Sequence, residues 1–243
     1  MHIVKLNATD STNQYLKELM LSKDLEDFTV IWAHEQLKGK GQMGAKWISD
    51  PGKNLTFSVL KKFNDLNITN RFLLNVTISL AIIDALKYFL VPDLSIKWPN
   101  DIMSGSTKIC GILIENILFK DRIQASVVGI GLNVNQLSFD NLTNVSSMKL
   151  LLGRTLNLEE VLDTLLGCLK SKFLVLDQVD SFLFWNTYEK QLFRKNKPST
   201  FKNANGQFFM GFIRKVSPEG KLIVELEDEV FKEFDLKEIQ LMY

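Results

Sequence analysis

Three short blocks of this sequence bring together residue types that could do chemistry. The first is Gly39-Lys40-Gly41-Gln42-Met43-Gly44, flanked by Lys38 and Lys46. Glycines allow backbone N–H groups to approach an anion, and lysines neutralise it, so a phosphate or carboxylate is the natural partner. The spacing is literally G-x-G-x-x-G, but a dinucleotide-binding turn must open a helix. Here the block runs into Ala45-Lys46-Trp47-Ile48 and then Pro51-Gly52. It is not a P-loop either, because Ala45 stands where the lysine should be and no Ser/Thr follows. The bland alternative is a mobile surface loop.

The second block is Lys97-Trp98-Pro99-Asn100-Asp101, followed by Lys108-Ile109-Cys110-Gly111-Ile112-Leu113-Ile114-Glu115. Asn100 and Asp101 leave a strand, Asp101 could hold Mg²⁺ through oxygen, and Lys108 could face the same cavity. Gly111 permits a ligand or backbone to come close. An ordinary hairpin with a surface salt bridge is the competing account. The third block, Gly129-Ile130-Gly131-Leu132-Asn133-Val134-Asn135, puts two glycines in a strand. It suggests close backbone approach or a bulge, with Asn133 able to read an adenine or ribose. Trp47 and Trp98 are pocket walls or core. Cys110 reads as inert core, His34 as isolated, and Glu115 and Asn116 as polar groups satisfied within a sheet.

These blocks need elements to hold them. The chain has 243 residues, 46% hydrophobic and 23% charged, enough apolar material for one large domain plus a small one. Its 29 Lys+Arg nearly balance 28 Asp+Glu, which excludes a broad positive field for holding a nucleic-acid duplex. Two cysteines exclude a disulfide scaffold and the usual zinc patterns, and two histidines leave little room for a His-based metal site or a Ser-His-Asp triad. No apolar run reads as a membrane span, and Met1-His2-Ile3-Val4-Lys5 does not read as a signal peptide, so a soluble protein of a reducing compartment, the cytoplasm, is expected.

Asp10-Ser11-Thr12-Asn13 can cap a helix carrying Tyr15, Leu16, Leu19 and Met20. Strands are expected at 29–33, 54–60 and 95–98, with a buried helix over 69–90 stopped by Pro92. Strands at 109–119 and 124–132 should pair through a turn at Lys120-Asp121. Further helices are expected at 158–176 and 179–191. Beyond Lys197-Pro198, turns at Asn205-Gly206, Pro218-Glu219-Gly220 and Glu227-Asp228 separate short alternating strands. The expectation is an α+β fold: a mixed β-sheet with packed helices over residues 1–195 and a small β-barrel over 196–243.

Taken together and in order, the blocks resemble the catalytic domain of biotin protein ligases. Asp10-Ser11-Thr12-Asn13 and Gln36 precede the Gly-rich loop, then come Lys97–Asp101, Lys108–Glu115 and Gly129–Val134. The tail resembles that family's SH3-like domain. The resemblance implies biotin and ATP as substrates, Mg²⁺ as companion, and a biotin carboxyl carrier domain of a carboxylase as acceptor. It implies biotin contacts from Ser11, Thr12, Asn13, Gln36, Gly39, Lys40, Gly41, Lys108 and Gly111. Lys40, Gln42, Lys46, Trp47, Asn100, Lys108 and Asn133 would meet ATP. Lys108, Asp101 and Lys40 would be catalytic, with Asp101 orienting either metal or the acceptor amine.

The loop departs from the family. Arginines are familiar at its second, fourth, fifth and seventh positions, where this chain has Lys40, Gln42, Met43 and Ala45. Lysine keeps charge but loses the two-pronged grip on phosphate. Weaker retention of biotinyl-5′-AMP follows, or a rescue by Lys38 or Lys46. The helix cap comes almost at once, leaving no room for a DNA-binding domain, so neither DNA nor membrane is an expected partner. The oligomer is expected to be a monomer or homodimer. A lipoate ligase of the same superfamily and a non-catalytic biotin or nucleotide sensor are the alternatives.

Overall fold

The computed structural model describes residues 2–139, 142–176 and 181–243. Most of the apolar sequence goes into a seven-stranded sheet and the helices that cover it. The strands are β1 (Ile3–Thr9), β2 (Val30–Gln36), β3 (Leu55–Asn67), β4 (Leu94–Lys97), β5 (Asp101–Ser104), β6 (Thr107–Phe119) and β7 (Arg122–Leu132). Their order is β1-β2-β3-β7-β6-β5-β4. Among the strand pairs of the described residues β1–β2 alone is parallel, because α1 (Thr12–Ser22) separates those two strands and makes the crossover. The β6–β7 hairpin turns at Lys120-Asp121 as expected, with Lys120 in the left-handed region at φ 55°.

The long apolar stretch is α2 (Arg71–Tyr88), buried around nearly its whole circumference. It lies between the sheet and the helices α4 (Leu158–Leu176) and α5 (Ser181–Lys190). The expectation that no segment could span a membrane needs correcting on composition alone, since residues 68–88 are long and apolar enough to do so. Their apolar surface is already covered by protein, which accounts for the absence of an amphipathic pattern. The helix expected at 179–191 is seen as α5, and Val179 lies outside the described residues. Two elements not anticipated are β1 and β5, and a third is the short α3 (Met148–Leu152).

The C-terminal strands are β8 (Pro198–Asn203), β9 (Phe208–Val216), β10 (Leu222–Glu225), β11 (Phe231–Phe234) and β12 (Ile239–Met242). They form an antiparallel sheet in the order β11-β10-β9-β8-β12, with turns where expected. The small β unit is present as an open sheet with β11 and β12 as its edges, not as a closed barrel. It packs on the larger sheet's helices. Phe201, Ile213, Val224 and Ile239 share one apolar cluster with α2. Gly220 sits at φ 95° under Phe72, where a Cβ would fall 2.2 Å from the ring. Its carbonyl accepts the Trp98 indole N–H at 2.9 Å.

Candidate active site

The site is a cleft over β6 and β7, running from Lys108 toward Glu115. The antiparallel register places Gly131 beside Gly111 and Gly129 beside Leu113, so the glycines open two successive positions along its floor. At Gly131 and Gly111 the Trp47 indole lies flat on the strands. A Cβ on Gly131 would come within 2.3 Å of that ring, and one on Gly111 within 3.1 Å. At Gly129 the occupant is Asn13, whose Oδ1 would be 2.4 Å from an added Cβ. The two strand glycines therefore reflect close approach, as their sequence suggested, by a tryptophan at one point and an asparagine at the other.

Asn13 belongs to the start of α1. Ser11 occupies the N-cap position but makes no capping bond with its side chain, contrary to expectation. Gln36, at the end of β2, does this instead: its Oε1 accepts the Thr12 N–H at 2.8 Å and the Thr12 hydroxyl at 3.0 Å. A parallel neighbour brings Gln36 to the helix end, since Thr9 lies opposite Gln36 in the β1–β2 ladder. Below, the buried Ser58 hydroxyl lies 2.6 Å from Asn13 Oδ1 and 2.7 Å from Thr12 Oγ1. Asn13 Nδ2 donates to Glu115 Oε2 at 2.8 Å, and Lys17 donates to Glu115 Oε1 at 2.7 Å. Burial pushes the Glu115 carboxyl up, but the hydrogen bonds from Lys17 and Asn13 outweigh it and hold the group below its ordinary range.

At the other end, Lys108 Nζ lies 2.6 Å from Asp101 Oδ1 and 5.7 Å from the centre of the Trp47 ring. A bulge between Ile102 and Met103 sets the β5–β6 register, with Asp101 opposite Gly111 and Lys108 opposite Met103. Asn100 is buried, and its Nδ2 donates to the Ile112 carbonyl. Cys110 is buried in the same strand, and burial pushes its thiol far above the usual range, so it is no nucleophile.

The Gly-rich loop covers the cleft. Lys40 and Lys46 form an isolated antiparallel bridge. Gly41 N–H donates to the Ala45 carbonyl at 2.7 Å, and Trp47 N–H donates to Gly39 O at 3.0 Å. Met43 and Gly44 turn the tip with φ of 55° and 83°. Lys38 points away into an exposed pair with Asp10 at 2.8 Å, whereas Lys46 lines the cleft. Of the two lysines considered as substitutes for the familiar arginines, only Lys46 is placed for it.

The enclosed space is about 260 Å³. Ser11, Thr12, Asn13, Gln36, Lys40, Gly41, Gln42, Lys46, Trp47, Asn100, Asp101, Lys108 and Gly111 all line it. Two expected residues do not. Gly39 is buried at the neck of the loop, where a Cβ would meet the Trp47 carbonyl at 2.4 Å. Asn133 is buried with Nδ2 donating to the Ser146 carbonyl at 3.1 Å and Oδ1 without a hydrogen-bond partner. Leu113, on the same strand face as Gly111, is a wall that was missed, whereas Ile112, Ile130 and Phe57 border the cleft by their backbone and turn their side chains into the core on the other face. The cleft thus joins a neutral hydrogen-bonding end to a cationic end past Trp47 and Leu113. Among the described residues no three His, Cys, Asp or Glu groups cluster as a metal cage. A single carboxylate such as Asp101 suits a Mg²⁺ carried mainly by phosphate oxygens and water.

Comparisons with known proteins agree with this geometry. Residues 6–133 match the model of the biotin/lipoate A/B protein ligase family. The bifunctional ligase/repressor BirA of Bacillus spizizenii is 25% identical over 238 residues, covering 95% of this chain and 71% of that protein. The biotin–[acetyl-CoA-carboxylase] ligase of Paracoccus denitrificans is 34% identical over 131 residues, 53% of each chain. The structure of the biotin protein ligase from Aquifex aeolicus in complex with biotin and ATP superimposes with a TM-score of 0.81 at 26% identity, covering 99% of this chain and 98% of that one. By its sequence, its sheet order and the contents of its cleft, the chain belongs to the biotin/lipoate A/B protein ligase family.

Proposed function

We propose that this protein is a biotin–[acetyl-CoA-carboxylase] ligase. It joins biotin to ATP, forming biotinyl-5′-AMP and pyrophosphate, and then passes the biotinyl group to a lysine of a biotin carboxyl carrier domain. In the first step a biotin carboxylate oxygen attacks the α-phosphorus and the bond to the β-phosphate breaks. In the second the acceptor amine attacks the acyl carbon, the carbon–oxygen bond breaks, AMP leaves and the amine gives up a proton.

The observation that carries this reading is the Lys108–Asp101 pair, 2.6 Å apart, at the cationic end of a cleft whose far end is neutral and polar. Both steps bring anions together, so fixed positive charge and positioning supply most of the rate. We assign Ser11, Thr12, Asn13 and Gln36 to the ureido ring and Gly111 to the ligand's passage along β6. Lys108 neutralises the carboxylate and the forming acyl phosphate. Lys40, Gln42, Lys46 and Trp47 cover the nucleotide, and Asn100 holds the floor by its bond to Ile112. Asp101 fixes Lys108 and faces the incoming amine. A Mg²⁺ held mainly by the phosphate oxygens of bound ATP would supply charge neutralisation there. Asn133 and Gly39 support the site from behind its lining.

We further propose that residues 1–195 are the catalytic domain and 196–243 a smaller C-terminal domain. ATP dependence and two free thiols, Cys110 and Cys168, support the cytoplasm as the site of action. Neither DNA nor membrane is invoked as a partner, and a monomer or homodimer would serve.

The test is pyrophosphate release from MgATP with biotin and a carrier domain. The parent should release it only with biotin and label the carrier. Lys108→Ala should lose at least about a hundredfold in rate, the scale of losing one charge-stabilising group. Biotin binding without release would replace the ligase by a sensor. Stabilisation by lipoate and not by biotin would make it the sister ligase.

A further inference from the structure

The polar end of the cleft does not balance its protons. Glu115, ionised and held by Lys17, can only accept, so Asn13 must turn its Nδ2 toward Glu115 and its Oδ1 toward Ser58. At the opposite end, Gln36 Oε1 takes the Thr12 backbone N–H and so also presents oxygen to the Thr12 hydroxyl. Between these two acceptors lie three oxygen–oxygen contacts: Asn13 to Ser58 at 2.6 Å, Ser58 to Thr12 at 2.7 Å and Thr12 to Gln36 at 3.0 Å. Ser58 and Thr12 bring only two hydroxyl protons. One contact is left without a hydrogen, and Thr12, Asn13 and Gln36 all face the cavity. Unmet acceptors in a buried place are costly, and a ligand N–H relieves them.

We propose that Glu115 is a specificity-determining positioning residue: by locking the Asn13 amide oxygen toward Ser58, it keeps this end of the cleft one proton short and so selects a ring that brings N–H donors. The proposal rests on the ligase reading above. A ureido ring carries two N–H groups. A dithiolane ring carries none, so the same device rejects a lipoyl-like ligand. Glu115 lies outside the cavity lining, and its hydrogen bond to the lining is the one from Asn13. Gly129 is part of the device, since any side chain there would occupy the space of the Asn13 amide.

Glu115→Gln has nearly the same shape but can donate. Only the longer contact of Nδ2 to the Leu113 carbonyl, 3.4 Å, then opposes a turn of Asn13 that gives Nδ2 to Ser58 and closes all three contacts without a ligand. The experiment measures biotin affinity, steady-state pyrophosphate release and melting temperature for the parent, Glu115→Gln and Lys17→Met. Each protein is also titrated with biotin methylated on a ureido nitrogen. Glu115→Gln should raise the KM for biotin about five- to tenfold, one hydrogen bond's worth. Its kcat, its KM for ATP and its melting temperature should stay near the parent's. The parent's preference for biotin over the methylated analogue should shrink by the same factor. Lys17→Met keeps the carboxylate on Asn13 and should change the biotin KM less than about twofold. The proposal is overturned by an unchanged KM in Glu115→Gln, by equal losses of biotin and the methylated analogue, or by a loss in Lys17→Met as large as in Glu115→Gln. A parent that ignores biotin altogether refutes the ligase reading and this proposal with it. A parent that turns over normally isolates the question to Glu115.

Discussion

At the Asn13 end of the cleft Gln36, Thr12, Ser58, Asn13, Glu115 and Lys17 form one connected series of side-chain contacts, with Thr12, Asn13 and Ser58 buried. The loop from Lys38 to Trp47 is built the opposite way. It is held by short backbone bonds across its neck and by the Trp47 indole resting on two glycines. Its cations Lys40 and Lys46 are exposed and have no ion pair among the described residues. The floor is set before any ligand arrives, whereas the loop needs ligand charge to complete it. Ring selection therefore belongs to the floor, and retention of the charged intermediate belongs to the loop.

The most disruptive way to break this division is at Gly131. Gly131→Val puts a branched side chain where the Trp47 indole lies, so the indole must leave the floor. The KM for ATP should rise by about tenfold or more, and residues 37–46 should become readily cleaved by protease, while biotin affinity changes little. If biotin binding falls as far as ATP binding, floor and loop are not separable. Gly129→Ala is the mirror experiment. Its Cβ displaces Asn13, so biotin affinity should fall with the KM for ATP retained, at a stability cost of about 1–3 kcal/mol for overpacking.

A smaller effect is expected from Gln42→Arg. A planar guanidinium at a position lining the cleft adds a two-pronged phosphate contact. The off-rate of biotinyl-5′-AMP should drop several-fold, with ring selectivity unchanged. An unchanged off-rate would show that Lys40 and Lys46 already supply what the arginine would.

The smallest effect is in pH dependence. The Glu115 carboxyl is held below its ordinary value of 4.5 in the folded protein. Its contribution to stability is thus fully present above that value and is lost as pH falls through the lowered folded value. For a half-exposed pair this amounts to under about 1 kcal/mol. Acid unfolding of Glu115→Gln should show a slightly shallower dependence below pH 5. A steeper one would mean that the carboxyl is destabilising where it sits.

Much of the site was legible because its chemistry depends on residue types. Lysines among glycines announce an anion, and Lys108 shortly after Asp101 announces a possible pair. The turn chemistry of Asn205-Gly206 and Pro218–Gly220 announces the C-terminal strands, since few residues adopt positive φ. Gln36 as the cap of α1 was not legible, because the helix already carries Ser11 at the usual position and the real partner arrives by parallel pairing. β1 was missed because an edge strand half open to solvent has no strong alternation. β5 was missed because it has four residues and starts at a site residue. Leu113 as a wall was hidden among core residues of the same type.

By itself, then, the sequence determined which groups are available: a Gly/Lys loop poor in arginine, a lysine and a carboxylate near one strand end, and glycines spaced to admit neighbours. Only the tertiary structure decided what those neighbours are. Register placed Trp47 over Gly131 and Asn13 over Gly129, and the β1–β2 crossover delivered Gln36 to Thr12. Glu115 reads in sequence as one more polar residue in a strand. Its effect on Asn13 exists only because residues 102 positions apart meet in the fold, and hydrogen-bond polarity depends on partners, not on residue type alone.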